Sequence, residues 1–438
     1  MKIIMHIDFN SYFATVEQQA NPRLRGKPIG VTGGDRMERT VLGAASVEAK
    51  KFGVKTGMQI WQAQELCPGI ILVQGDSDKY LETTKKFLNI LKDYSPDLEV
   101  FSIDEVFLEL PSTVIARSDS DEAISKLDCH APLGLAMTMK QRIKAEIGEW
   151  MKCSIGISYN KLMAKLASSL QKPDGLVIIP NPDEAIKVLD KIELDEICGI
   201  GFRIKKRLNN LGIFNFSQLR KVPLPALLAS FKSYGQVLYN MSRGIDNSPI
   251  VPFYEKEEVK SIGHRCTIDY DTNDPQEIKQ ILLKLTELIA RRLRAKKLVG
   301  KTVSCWFRYA LNPTSHCKST SEVGMIGHLG FNGNGMQMTI PYTNDGLEIF
   351  HATWKIYQTI WSGGKIRMIG VSISNLKPQN PQNLSLLPEV NTKEVIIKAI
   401  DKINDKYGEF TLQRGILLGS TQMKRKANPF LADRRFKL

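Results

Sequence analysis

EVFSIDEVFLEL (residues 99–110) sets two carboxylates, Asp104 and Glu105, side by side between two apolar runs. Val, Phe and Ile at this density predict two β-strands joined by a tight turn. Adjacent negative charges at the lip of such a hairpin repel each other. Either water solvates them, as it does many acidic turns, or a cation compensates them. The rest of the chain bears on that choice.

Upstream, MKIIMHIDF (1–9) reads as a short buried strand with Asp8 near its end, and NSYFATVEQQ (10–19) as a helix capped by Asn10 or Ser11. A small Gly- and Ala-rich α/β region follows, then the amphipathic helix DKYLETTKKFLNILKDYS (78–95), which leads into the hairpin. The polar run ARSDSDEAISKLDCHAP (116–132) reads as a surface insertion. A helix around MKQRIKAEIGEW (139–150), the strand KCSIGIS (152–158) and the helix YNKLMAKLASSLQKPDG (159–175), ended by Pro173 and Gly175, come next. Strand–helix–hairpin–helix–strand is the order of a split βαβ, ferredoxin-like sheet. On that sheet the hairpin flanks the first strand, and Asp8, Asp104 and Glu105 converge on one edge.

Asp8 alone reads equally well as a helix-capping aspartate. Three carboxylates together do not all ionise without cations between them. Oxygen-only ligands favour the hard ions Mg²⁺ or Mn²⁺ over zinc. Two such ions bridged by carboxylates form the device that activates one oxygen and stabilises another in phosphoryl transfer.

Composition is compatible with that chemistry. The 438 residues suffice for two to four domains, and 60 basic against 46 acidic residues leave a net charge of +14, which favours nucleic acid or an anionic surface as partner. No apolar run approaches the roughly 20 residues that span a bilayer. Asp8 falls where a signal peptide would need apolar residues, so a cytoplasmic location is expected. The seven cysteines form no Cys-x-x-Cys, which argues against a zinc site or a disulfide framework.

ELDEICGIGFRIKKRLNNLGI (193–213) carries Gly199-Ile200-Gly201 between two short helical segments, with Arg203, Lys205, Lys206 and Arg207 after it. The turn is a plain helical corner, or it lets backbone N–H groups approach a phosphate. The basic run favours a helix–hairpin–helix gripping the DNA backbone without regard to sequence. A second α+β unit starts near EVKSIGHRCTIDY (258–270), with an amphipathic helix at 275–298 and strands GKTVSCWFRYAL, GMQMTIPY and KIRMIGVSISNL around a second helix, LEIFHATWKIYQTIW.

HIDFNSYFATVEQ, VEAKKFGVKTGM, FSIDEVFLEL, IGISYNKLMAKLASSLQKPDGL and ICGIGFRIKKRLNNLGI occur in the order and spacing of Y-family DNA polymerases of the DinB/UmuC type, which the chain resembles to about residue 376. The resemblance implies an α+β right-hand polymerase. Its ferredoxin-like palm is expected at 1–18 and 79–166, small fingers at 19–78, a helical thumb with the helix–hairpin–helix at 167–250, an α+β little finger at 257–376 and a tail at 377–438. By the same resemblance Asp8, Asp104, Glu105 and the Phe9 carbonyl hold the metal ions. Ser11, Tyr12, Phe13, Lys50 and Lys161 line the dNTP. Phe13 is the steric gate under the sugar, and Lys161 contacts the triphosphate. On bare sequence, Phe13 reads as a core aromatic and Lys161 as a surface lysine.

Gly199, Gly201, Arg203, Lys205, Lys365 and Arg367 are expected on primer-template DNA. Two departures from the family pattern stand out. Val47 and Lys50 occupy fingers positions where a Tyr and an Arg hold the triphosphate, and Lys50 keeps the charge without the bidentate fork. Met368 and Ser372 stand where little-finger basic residues often lie. The small side chains of LGAAS (42–46) imply an open roof, and hence low fidelity on distorted templates.

In the tail, Gln382, Leu384, Leu386 and Leu387 resemble a bacterial sliding-clamp peptide, although a polar linker reads similarly. The final basic residues are expected to be mobile. Accessory proteins of the UmuC kind are possible partners. The expected activity is two-metal, template-directed and error-prone DNA synthesis past lesions. Its rivals are a silent polymerase-shaped scaffold that binds DNA and the clamp, which has no need of all three carboxylates, and a nucleotidyl cyclase, which has no use for the thumb or the basic tail.

Overall fold

The computed structural model describes residues 2–33, 40–110, 130–255, 258–310, 333–379 and 388–418. The chain divides between Lys256 and Glu257 into two compact units. The first opens with β1 (Ile3–Phe9) and α1 (Tyr12–Ala20). Next come β2 (Ile29–Thr32), β3 (Leu42–Ala45), α2 (Val47–Lys51), α3 (Ile60–Leu66) and β4 (Ile71–Gln74), whose strands form a small sheet in the order β3-β2-β4. Then α4 (Ser77–Lys92), β5 (Leu98–Val100), β6 (Glu105–Leu110), α5 (His130–Glu146), β7 (Cys153–Ser158), α6 (Lys161–Leu170) and β8 (Leu176–Ile179) complete a five-stranded sheet in the order β5-β6-β1-β7-β8.

All seven residues of β1 are buried, because the strand is central and helices cover both faces of the sheet. Met5, Ile7 and Phe9 join Phe87 and Leu91 of α4 and Met139 and Ile143 of α5 in one core. Ile4, on the opposite face, meets Phe107 and Ala164 of α6. Gly156 explains how closely α6 lies on β7: a Cβ there would stand 2.1 Å from the Ala164 carbonyl oxygen and 2.3 Å from the Ser168 nitrogen.

The hairpin expected at 99–110 is present as β5 and β6, and β6 neighbours β1. The palm–thumb boundary expected at residue 167 falls inside α6. Because β8 pairs in parallel with β7, its crossover helix α6 belongs to the same sheet, which therefore extends through Ile179. Helices α7 (Pro182–Leu189), α8 (Phe202–Asn210), α9 (Phe216–Lys221), α10 (Leu224–Phe231) and α11 (Tyr234–Met241) pack around a second core that includes Phe216, Leu227 and Leu238 and is shared with Met163, Leu166 and Ala167 of α6.

The second unit is β9 (Ser261–Thr272), α12 (Pro275–Ala295), β10 (Leu298–Tyr309), β11 (Gly333–Thr343), α13 (Gly346–Ile360) and β12 (Ile366–Ser374), with the sheet order β11-β10-β12-β9. This is the strand–helix–strand–strand–helix–strand order expected. The unit does not end at residue 376. β13 (Lys377–Pro378) pairs with β10, and α14 (Pro388–Tyr407) is tied to α12 by Arg294–Asp401 at 2.6 Å and by Arg291–Asp405. Leu417 is buried in the same core as α12 and α13. Part of the expected tail is thus packed structure, because its apolar residues complete the outer side of α12. Among the described residues no helix is long and apolar enough to cross a membrane.

Candidate active site

Asp8 pairs directly with Glu105 in the antiparallel register of β1 and β6. Directly opposed residues share a sheet face, so both carboxylates project toward α6. The turn is drawn in by a hydrogen bond from the Phe9 nitrogen to the Asp104 carbonyl at 3.0 Å. Ser102 Oγ donates to Asp104 Oδ1 at 2.6 Å. The sequence thus brings Asp8, Phe9, Asp104 and Glu105 to one edge, as expected.

The carboxylates do not close on a common point: among the described residues no three His, Cys, Asp or Glu side chains meet in a metal-holding group. Three partners hold them apart. Lys172 Nζ lies 2.6 Å from Asp8 Oδ2, Lys165 pairs with Glu105, and Ser102 holds Asp104. His6 is buried beneath them. Its Nδ1 meets Ser168 Oγ at 2.7 Å, and its Nε2 faces Glu105 Oε2 at 3.8 Å.

Electrostatics divide the three acids. Burial raises the Asp8 carboxyl, Lys172 opposes the rise, and Glu105 and Asp104 add to it. Burial likewise raises Asp104 against the Ser102 hydrogen bond. Burial also works against Glu105, but His6 and the Lys165 ammonium outweigh it and hold that carboxyl at about 2. An all-oxygen donor set in which two acids remain under-neutralised fits a hard divalent cation. Asp8, Asp104 and Glu105 are the residues that would hold it, with the Phe9 carbonyl beside them.

Lys161 is not among the groups at this edge. Its Nζ binds both Glu99 oxygens, at 2.7 and 2.8 Å, and the Pro249 carbonyl at 3.2 Å. Glu99 also accepts from the Val251 nitrogen at 2.8 Å. Lys161 therefore fastens the segment after the helical core to the hairpin. It stands at the first position of α6, and the residues nearest the carboxylates come from farther along: Lys165 one turn on, and Lys172 beyond the helix end. The Lys-Pro-Asp-Gly turn that ends α6 is the signal that marks Lys172. Asn10, read from the sequence as a possible helix cap, serves a different end: its Oδ1 accepts from the Asp174 nitrogen at 2.7 Å, and its Nδ2 donates to Ser154 Oγ at 3.0 Å. This buried amide pins the turn that carries Lys172 to the end of β1.

Of the residues expected on a nucleotide, Tyr12 has its side chain in the core, its hydroxyl donating to the Tyr80 carbonyl at 2.8 Å. Phe13 is only partly buried. Its ring stacks on Tyr80, with centroids 4.4 Å apart and planes 15° from parallel, beside Gly43 of β3. Ser11 takes a left-handed conformation, φ 50°, at the start of α1, and its buried Oγ has no hydrogen-bond partner among the described residues. Burial lowers the Lys50 ammonium, Lys172 lowers it further, and Asp8 and Asp104 oppose, which places Lys50 in the same field. Val47 is the first residue of α2.

The Gly199–Gly201 turn precedes α8, and Gly199, at φ 110°, needs glycine twice over. A Cβ would meet Met241 Cε at 2.6 Å, and the Gly199 carbonyl accepts from the Tyr234 hydroxyl at 2.7 Å. Gly201 caps α8, and Arg203 is exposed on its first turn. Lys205 is tied to Asp195 at 2.7 Å and to Glu193 at 3.1 Å. In the second unit Lys365 is exposed, and Arg367 lies 3.4 Å from Asp271. Gln382, Leu384, Leu386 and Leu387 lie outside the described residues.

Comparison with known proteins agrees with this arrangement. The family model described as the impB/mucB/samB family matches residues 7–169, that of its C-terminal domain matches 259–386, and that of the DNA polymerase-iota thumb domain matches 195–246. DNA polymerase IV of Pelotomaculum thermopropionicum is 34% identical over 416 residues, covering 95% of each chain. DNA polymerase IV of Moorella thermoacetica is 33% identical, covering 95% of this chain and 96% of its own. A solved Y-family DNA polymerase chimera superposes with a TM-score of 0.68 at 23% identity, covering 86% of this chain and 99% of that one. With the carboxylate-bearing hairpin beside β1, the glycine turn before α8 and full-length relatives of this kind, the chain belongs to the Y-family DNA polymerases of the DinB type.

Proposed function

We infer that the protein is a template-directed DNA polymerase of low fidelity that extends a primer 3′-hydroxyl with dNTPs and acts in lesion bypass. The opposition of Asp8 and Glu105, with Asp104 hydrogen-bonded into the same turn, carries this reading. The reaction depends on divalent metal, and we assign it to two Mg²⁺ ions, with Mn²⁺ as substitute, held by Asp8, Asp104, Glu105 and the Phe9 carbonyl. When bound, they supply charge neutralisation at the triphosphate and activation of the attacking hydroxyl.

This chain's own residues do the rest. Lys172 and Lys50 face the triphosphate as cations, and the start of α1 at Ser11 and Tyr12 offers it backbone N–H groups. Phe13, braced by Tyr80, excludes a 2′-hydroxyl. Ser102 orients Asp104. Positioning and fixed charge thus account for most of the rate, as in phosphoryl transfer generally. The five-stranded sheet with its helices serves as palm, residues 19–78 as fingers, α7–α11 as thumb and the second unit as little finger. Arg203 and the Gly199–Gly201 turn grip the DNA backbone, with Lys365 and Arg367 as further contacts. Residues 382–387 dock on a sliding clamp.

Primer extension on an undamaged template and on one carrying an abasic site tests the reading, with parent and Asp104→Ala compared. The parent extends both and the variant neither. A parent that binds primer-template without extending it, with or without a clamp, is a scaffold.

A further inference from the structure

The sheet of the second unit has one face on α12 and α13 and one face away from them. Along β10, Val303, Cys305 and Phe307 are buried in the core, so Ser304, Trp306 and Arg308 occupy the other face. Trp306 is opposed by a glycine on each side, Gly335 of β11 and Gly370 of β12. A Cβ on Gly370 would lie 2.3 Å from Trp306 Cε2 and 2.5 Å from both Cζ2 and Nε1. An approach along the ring edge would make Cζ2 and Nε1 nearer than Cε2. The indole therefore lies face-down on Gly370, and its second face is turned away from the sheet.

Two arginines share that face of the sheet. Gly370 pairs in turn with the exposed Arg265 of β9. Arg308 is two residues along β10 from Trp306, about 7 Å on the same face. Burial lowers the Arg308 guanidinium and the neighbouring Arg367 lowers it further, with Asp271 opposing.

We propose that Trp306 is a stacking platform for an unpaired base of a DNA single strand, with Arg265 and Arg308 on the adjoining phosphates. The proposal rests on the polymerase reading, which supplies an unpaired template strand as the occupant. A base pair inside a duplex has both faces covered by its neighbours and presents only edges and phosphates. A flat indole face parallel to a sheet matches the face of a base that has left the stack. Side chains larger than glycine at 335 and 370 would lift the ring off the sheet and close the platform.

The test measures affinity of the full chain for a fluorescein-labelled oligo-dT and for a blunt duplex, by anisotropy at one salt concentration. Trp306→Phe, Trp306→Leu and Trp306→Ala are compared with the parent, each checked for an unchanged melting temperature. The Leu variant keeps apolar bulk without an aromatic face. Loss of oligo-dT affinity by about tenfold in Leu and Ala, with Phe close to the parent and duplex affinity unchanged throughout, is the expected result. Equal losses on both DNAs, or none on oligo-dT, overturn the platform. A Leu variant that binds oligo-dT like the parent also overturns it. Primer extension by the parent is run in parallel: its failure removes the polymerase reading, whereas the platform fails only through the variants.

Discussion

Asp8 and Glu105 stand opposite each other between β1 and β6, yet their carboxyl groups are displaced in opposite directions. Asp8 is held above its ordinary value by burial, and Glu105 is held at about 2 because His6 and Lys165 outweigh burial. The acids at this edge therefore differ in what their ionisation costs the fold.

Asp104 is the cleanest probe of that cost. Its folded carboxyl binds a proton more tightly than the unfolded one, so ionisation at neutral pH is destabilising. Asp104→Asn is expected to lower extension by about a thousandfold or more while leaving the melting temperature in EDTA equal to or above that of the parent. Calorimetry beside a primer-extension assay measures both, and a clear fall in melting temperature contradicts the assignment.

Lys172 and Lys161 are expected to separate. Lys172→Ala raises the KM for dNTP by about 10- to 100-fold, the loss of one charge-assisted phosphate contact. Lys161→Ala leaves KM within about threefold and lowers stability, because Glu99 is left half-buried without its counter-charge. Steady-state kinetics and urea denaturation on the two variants decide it, and the opposite split returns the triphosphate role to Lys161.

Phe13→Ala removes the ring stacked on Tyr80 and opens the space beneath the sugar. The ratio of kcat/KM for dNTP over rNTP is expected to fall by about tenfold or more, read by single-nucleotide insertion. An unchanged ratio with lowered stability makes Phe13 a packing residue only.

Gly156→Ala tests the seating of α6. Its methyl group would meet backbone atoms of Ala164 and Ser168, which cannot rotate away. A stability loss of about 3 kcal/mol or more, or failure to fold, is expected. Urea unfolding within about 0.5 kcal/mol of the parent would show that the helix is loosely seated.

His264 gives the second unit a pH dependence. Its Nδ1 faces Arg292 Nη2 at 2.8 Å, and a guanidinium only donates, so Nδ1 must keep its lone pair. Burial, with Arg292 adding to it, lowers the imidazole to about 4 from 6.5. The unfolded chain takes up this proton first, so the stability held by neutral His264 is complete above about pH 6.5 and falls as pH drops toward 4. Urea midpoints at pH 7.5 and 5 should differ more for the parent than for His264→Gln, and equal differences contradict the pairing.

The hairpin was legible because alternation around Asp104 and Glu105 leaves little choice of register. The gathering of carboxylates at one edge followed from Asp8 at the end of an apolar strand. Which lysine of α6 and its turn serves the carboxylates was not legible. Lys161 and Lys165 differ in their place around α6, which Gly156, a residue with no side chain, lets lie close on the sheet, and Lys172 lies beyond the helix in the turn that Asn10 pins. The packing of α14 was hidden for another reason. Ile397, Ile400 and Asn404 have helical spacing, but Val395 and Ile396 beside them stay exposed, and the segment reads as a tail until α12 supplies the surface it covers.

The central position of β1 also has a consequence during synthesis. This buried strand is made before its neighbours in the sheet, β6 and β7, which follow about 100 and 150 residues later. Until then Ile3, Met5 and Ile7 have no partner strand on either side, and Asp8 next to them has no Glu105 to face. A nascent chain that stops before Ile179 is a sheet without its last strand. The nascent chain must therefore keep β1 sheltered until nearly all of this five-stranded sheet has been made.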